Sequence, residues 1–168
     1  MASFIFLLVD FLRLRLTSVK SVFIVLFGSM LRRKELSSLT GASYLMLASL
    51  VCMLIFGYGT AGRVSGVFIA AVSFLALGDT AAAIVGLSIG RVRIFRKTLE
   101  GTLAGLIVCL IVAWVVSILP GLDLPLGIGI LGAVSASVVE ALPIEVNDNV
   151  VIPLLSCTVM KVALLIAR

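Results

Sequence analysis

The chain has 168 residues, of which 62% are hydrophobic and 12% charged, with a formal net charge of +5, and its mean hydropathy is +1.33. Counting the 15 glycines, the apolar fraction is about 71%, against roughly 45–50% in a soluble domain. A water-soluble body of this size cannot hide so much apolar surface, so the composition predicts an integral membrane protein. The apolar runs are continuous and do not alternate with period two, which predicts helices and excludes a barrel. At about 20 residues per span, six or seven crossings are the most the chain allows, with no room for a soluble domain. Residues 1–168 therefore read as one membrane domain.

In chain order, residues 2–12 (ASFIFLLVDFL) form a short apolar segment broken by Asp10. The N-terminus carries no basic n-region and does not read as a cleaved signal peptide. Arg13, Arg15 and Lys20 follow, then a second short run, 21–31, better suited to an interfacial or re-entrant position than to a crossing. After Arg32-Arg33-Lys34-Glu35 comes a predicted span at 39–58, closed by a glycine-rich turn at 57–63. Residues 64–90 are a long apolar run with one charge, Asp79. A basic loop holds Arg91, Arg93, Arg96 and Lys97, and spans are expected at about 102–119, 126–142 and 150–166. The expected fold is thus all-α and polytopic, with about five transmembrane helices plus a short N-terminal or interfacial helix.

Ten of the thirteen Lys and Arg fall in the 13–38 and 91–100 loops, which alternation of spans places on one side. The positive-inside rule makes that side cytoplasmic. The positive charge is accounted for by lipid headgroups and topology, so no nucleic-acid partner is expected. Cys52, Cys109 and Cys157 lie in apolar runs without zinc or disulfide spacing, and histidine is absent.

Asp79 is the strongest single signal. A carboxylate inside an apolar helix costs about 2.5–3.5 kcal/mol to insert and usually faces a bundle interior or a water-filled cavity. The plain alternative is an interhelical hydrogen bond or ion pair. Around it, Gly86-x-x-x-Gly90 and Gly101-x-x-x-Gly105 fit close helix packing. The stretch Lys97-Thr98-Leu99-Glu100-Gly101 opens a helix, where Thr98 can cap and free N–H groups attract phosphate. Glu140 and Asp148-Asn149 flank a loop; Pro143 and Pro153 are expected to break the helices there and leave carbonyls as ligands. An ordinary polar loop explains that element equally well. No Walker or protein-kinase motif occurs.

LALGDTAAAIVGLSIG, then RKTLEGTLAG, then VEALPIEVNDNVVIPLL, together with the upstream RRKELSSLTGASYLML, resemble the CTP-dependent polyprenol and lipid-alcohol kinases. That family includes dolichol kinase, phytol kinase and CTP-dependent diacylglycerol kinase, and the resemblance covers roughly residues 30–155. It implies a membrane enzyme that moves the γ-phosphoryl group of CTP onto a long-chain isoprenoid alcohol, with Mg²⁺ as cofactor. By the same resemblance Asp79 is the catalytic or metal-binding carboxylate. Arg96, Lys97, Thr98, Glu100, Gly101 and Asn149 belong to the nucleotide site, and Glu140 and Asp148 join Asp79 on the metal. The partners implied are CTP, a membrane lipid alcohol and the bilayer. The membrane would be the plasma membrane in a prokaryote or the endoplasmic reticulum in a eukaryote, with the site facing the cytoplasm. The alternatives are a kinase for diacylglycerol or phytol, a CDP-lipid-forming cytidylyltransferase, or a small transporter with Asp79 as its ion or proton site.

Overall fold

The computed structural model describes residues 2–28, 31, 33–58, 64–95, 97–143 and 146–167, apart from the side chains of 2–4, 33 and 34. It is mostly helical (79%), and the described strands are two short pieces of one hairpin. The chain divides into two compact units, Met1–Leu47 and Ala48–Arg168, a division that falls inside one helix.

The first unit contains α1 (Ala2–Arg15), α2 (Thr17–Phe27), a 3₁₀ turn at Arg33–Leu36 and the start of α3 (Gly41–Phe56). α1 packs on α2, with Phe23 between Phe6 and Phe27 at ring-centroid distances of 6.3 and 5.0 Å. Asp10, which in sequence merely interrupts an apolar run, is fully buried here. Its Oδ2 accepts from the Thr40 amide at 2.9 Å and the Thr40 hydroxyl at 3.1 Å, and also from the Ser43 hydroxyl. Arg13 Nε donates to Asp10 Oδ1, and another guanidinium nitrogen donates to the Ser38 carbonyl at 2.8 Å. The guanidinium lies 4.7 Å from the centre of the Phe23 ring. Arg13 is therefore a buried partner of Asp10 and not a solvated loop residue. Glu35 Oε1 accepts from the Gly41 amide at 2.8 Å. Two carboxylates thus satisfy the amides that open α3, where the helix dipole favours negative charge.

The second unit contains the rest of α3, then α4 (Gly66–Ser73), a π-helical turn (Phe74–Asp79) and α5 (Thr80–Ile89), which run on as one helix. The hairpin follows, β1 (Arg93–Ile94) antiparallel to β2 (Lys97–Thr98), and then α6 (Leu99–Ile118), α7 (Leu126–Ala141) and α8 (Asp148–Ile166). Three helices are long and apolar enough to cross a membrane: Gly66–Ile89, Leu99–Ile118 and Asp148–Ile166. α3 and α7 are apolar but have 16 residues each, about 24 Å of rise against a hydrocarbon core of about 30 Å.

α6 shows why such helices want lipid. Its buried positions include Gly101, Gly105, Cys109 and Ala113, while Leu103, Ile107, Ile111, Trp114 and Ile118 are 49–61% exposed. Small residues face protein and large apolar ones face outward, the reverse of a soluble helix. The small residues let α5 and α6 come together. A Cβ on Gly101 would stand 2.6 Å from the Ala82 carbonyl oxygen, and one on Gly78 2.5 Å from Cys109 Sγ. α6 also packs on α7, and α8 on α7 and α4.

The helix ends follow local chemistry. Thr98 caps α6, its hydroxyl accepting from the Gly101 amide at 3.2 Å. α7 ends just ahead of Pro143, whose ring disfavours a helical conformation in the residue before it. Asn147 caps α8 by accepting from the Asn149 amide at 3.0 Å. Pro153 corrects the sequence expectation: it lies inside α8 and does not end it. It has no N–H to give the Asn149 carbonyl one turn earlier.

Candidate functional site

Residues from three separate stretches of the second unit meet at one ammonium group. Lys97 Nζ donates to Asp79 Oδ1 at 3.1 Å and to Glu140 Oε1 at 2.9 Å. Each partner is held by a different element. Asp79 ends the π-helical turn, Lys97 stands in β2, and Glu140 lies in the last turn of α7. The π turn inserts an extra residue into a helix that would otherwise run straight, and such turns recur at functional sites. Gly78, just before Asp79, is buried against α6, which sets that turn close to the small-residue crossing.

The three side chains differ in exposure: 33% for Asp79, 28% for Lys97 and 6% for Glu140. Burial pulls the Lys97 ammonium down. The Glu140 and Asp79 carboxylates outweigh that effect and hold its pKa above the ordinary 10.5. With both carboxylates ionised, the trio carries one net negative charge. The charge of Asp148, in the first turn of α8, also bears on Glu140. A Cβ on Gly105 would be in ordinary contact with Glu140 Oε2 at 3.5 Å, and its tighter neighbours are the Ala82 Cβ at 3.1 Å and the Gly78 carbonyl oxygen at 3.2 Å. One turn before Glu140, Ser137 is 4% exposed, and its hydroxyl lies against the Cys109 thiol on α6.

The remaining residues singled out in the sequence have other immediate tasks. Thr98 caps α6 on Gly101, and Gly101 lies at the α5–α6 crossing. Glu100 accepts from the Val92 amide through both oxygens, at 3.2 and 3.3 Å, and ties the loop before β1 to the start of α6. Phe95, between the strands, has φ 53°, the left-handed conformation that this tight turn requires. Asn149 forms part of the α8 cap through its amide. Arg96 lies outside the described residues. Lys97, expected at phosphate, is paired with two carboxylates here.

Sequence reasoning overlooked the Asp10–Arg13 cluster and Ser137. A charged pair three residues apart in an apolar helix was a legible signal for the first. The i, i+3 spacing of Ser137 and Glu140 on one helix face was the signal for the second.

Among the described residues no three Asp, Glu, Cys or His side chains come together as a metal-holding group. Two of the three carboxylates expected on Mg²⁺ nevertheless converge on a single cationic atom, which is the arrangement a hard cation asks of oxygen donors. Asp79 and Glu140 are the two carboxylates that this arrangement brings together. Together these features define a helical, membrane-compatible bundle in which a carboxylate–ammonium–carboxylate site joins the middle of the Gly66–Ile89 helix to the last turn of α7. Comparison with protein-family models, with characterised proteins and with solved structures yields no match.

Proposed function

We propose that the protein is a polytopic membrane kinase that uses CTP and Mg²⁺ to phosphorylate a long-chain isoprenoid alcohol of the dolichol or polyprenol type. In this reading about five helices cross the bilayer, α3 and α7 among them, and the site faces the cytoplasm. One observation carries the proposal. Asp79, Lys97 and Glu140, drawn from the three motifs on which the resemblance rests, meet at a single ammonium group.

Phosphoryl transfer needs positioning and charge neutralisation more than covalent help from the protein. Asp79 and Glu140 would hold Mg²⁺, which would neutralise charge at the phosphates. Lys97 offers a mobile point charge for phosphate oxygens on a four-carbon stem. The N-terminus of α6, capped by Thr98, would offer the positive end of a helix dipole to the nucleotide. The lipid hydroxyl oxygen forms a bond to the γ-phosphorus, the bond from that phosphorus to the bridging oxygen breaks, and CDP leaves. The hydroxyl proton passes to a carboxylate. Asp79 suits that role better than Glu140 because it is the more open of the two. The large apolar side chains on the outer face of α6 are compatible with a lipid substrate that reaches the site from the bilayer.

The test is an assay of the purified chain in nanodiscs with CTP labelled at either the γ or the α phosphorus, against a panel of dolichol, phytol and diacylglycerol. The proposal expects label in lipid from γ-labelled CTP and with the isoprenoid alcohols foremost. Label only from α-labelled CTP would make the chain a cytidylyltransferase. No nucleotide binding at all, with cation flux through the bilayer, would make it a transporter.

A further inference from the structure

We propose that a groove along α2, in the first unit, is the binding site of one anionic phospholipid, with an acyl chain lying in the groove and the phosphate beside Arg15 and Lys20. The inference is independent of the phosphoryl-transfer reading, because it uses none of the residues of the Asp79–Lys97–Glu140 site.

The groove has a volume of about 330 Å³ and is lined by Val9 of α1 and by Ser18, Val22, Leu26 and Phe27 of α2, with the buried Phe23 among them. That volume lies within the roughly 300–1,000 Å³ of ligand pockets. Ser18, Val22 and Leu26 follow one another four residues apart and so form a single row on the helix. The row is about 12 Å long at a rise of 1.5 Å per residue. An elongated apolar slot suits an extended hydrocarbon chain. Ser18 is the one polar side chain in its lining.

Charge selects the headgroup. Ser18 marks the end of the groove next to the α1–α2 junction, with Arg15 three residues before it and Lys20 two residues after it. Within residues 1–31 the one acidic residue is Asp10, which is buried and committed to Arg13, Thr40 and Ser43. Asp10 and Arg13 cancel, so the two helices place the positive charges of Arg15 and Lys20 at one end of an apolar slot. The complement is an amphiphile with an anionic head and an apolar tail. A neutral lipid alcohol would fill the slot but give the two cations no counter-charge, and a second apolar helix laid in it would do the same.

The dimensions of the pair agree. α1 and α2 have 14 and 11 residues, about 21 and 17 Å of rise against a hydrocarbon core of about 30 Å. Val22, Val25 and Leu26 are 60–85% exposed. A short hairpin with an apolar flank and a basic junction occupies one leaflet, with its cations at the level of anionic headgroups.

The experiment releases the full chain from nanodiscs of phosphatidylcholine doped with a minority of phosphatidylglycerol and identifies the retained lipid by native mass spectrometry. The expected result is one phosphatidylglycerol per chain, enriched over its bulk share by at least about tenfold, the scale that two cations at a membrane surface supply. Arg15→Gln/Lys20→Gln should lose that enrichment while a lipid is still retained. Val22→Trp, which fills the slot with an indole, should abolish retention. Val25→Trp, on a side chain outside the slot, should leave retention unchanged. Retention of the two lipids in their bulk proportions by the wild type overturns the proposal, as does undiminished retention by Val22→Trp. A dimer that Val22→Trp dissociates would make the occupant a second copy of the chain and also overturns it. Should Val22→Trp fail to fold, the decision falls to Arg15→Gln/Lys20→Gln, where an enrichment equal to that of the wild type overturns the proposal.

Discussion

Lys97 Nζ stands 2.9 Å from Glu140 Oε1 although 43 residues separate them in the chain. The contact joins the hairpin ahead of α6 to the far end of α7, and it is short because α6 packs on both α5 and α7. Among the described residues the buried carboxylate has one charged donor, and that donor is shared with Asp79.

Replacement of Asp79 by Asn keeps the side chain's shape and removes its charge. The expected outcome is a loss of γ-phosphoryl transfer of at least about 100-fold, the scale on which general acid–base groups contribute. The bundle should still fold, since Lys97 retains Glu140. Phospholipid formation from γ-labelled CTP, read beside circular dichroism, checks this. Undiminished transfer by a well-folded Asp79→Asn would remove Asp79 from the chemistry.

Glu140→Leu tests the same pair from its buried side. Lys97 keeps Asp79 as a partner and is itself 28% exposed, so the cost should fall below the roughly 3–5 kcal/mol of a fully buried broken pair. Transfer activity should be abolished while the melting temperature falls by only a few degrees. A melting temperature equal to that of wild type would show the pair to be structurally neutral.

The small-residue crossing gives a paired prediction. Gly101→Ala would place a methyl 2.6 Å from the Ala82 backbone oxygen, and backbone cannot move aside cheaply. Overpacking of this kind costs typically 1–3 kcal/mol, so destabilisation of about that size is expected. Gly127→Ala, in α7, meets nothing within 4 Å and should be neutral or stabilising by about 0.5–1 kcal/mol. Thermal unfolding of both variants in detergent decides it; equal melting temperatures would contradict the close approach of α5 and α6.

In the first unit, Asp10→Ala leaves the Arg13 guanidinium buried without its carboxylate and takes an acceptor from the Thr40 amide. Removal of one partner of a buried ion pair is expected to cost about 3–5 kcal/mol. Hydrogen exchange at Thr40 and Ser43 should accelerate by more than tenfold while amides in α6 and α7 stay protected. Unchanged exchange at Thr40 would contradict the capping role.

The pH dependence of the site has a definite sign. Because the folded pKa of Lys97 lies above 10.5, its stabilisation is complete below that value and is lost as pH rises through the folded pKa. The stability difference between wild type and Lys97→Met should therefore stay level from neutral pH to about 10 and shrink above 10.5. Melting temperatures of the two proteins across that range supply the check. A difference that already shrinks near pH 8 would mean that the ammonium is not held by these carboxylates.

Composition alone was enough for the helical, lipid-seeking character of the chain, because hydrophobic excess and the continuity of apolar runs are local properties. The limits of α6, α7 and α8 were legible for the same reason: Thr98, Pro120, Pro143 and Asn147 act on their own neighbours. Where local rules met packing, they failed. Pro153 stays within α8, and Arg13 is buried instead of solvated. Gly101 and Gly105 were recognisable as packing residues, but not that they seat α6 against Ala82 and the Gly78 carbonyl. What only tertiary structure decided is the pairing of charges. Sequence places Lys97, Asp79 and Glu140 in separate stretches and suggests phosphate for the first and metal for the others. Packing of α5, α6 and α7 brings them within hydrogen-bond reach, and opposite charges at that distance in a partly buried setting pair with one another. Asp79, Lys97 and Glu140 are therefore not independent signals but one electrostatic unit.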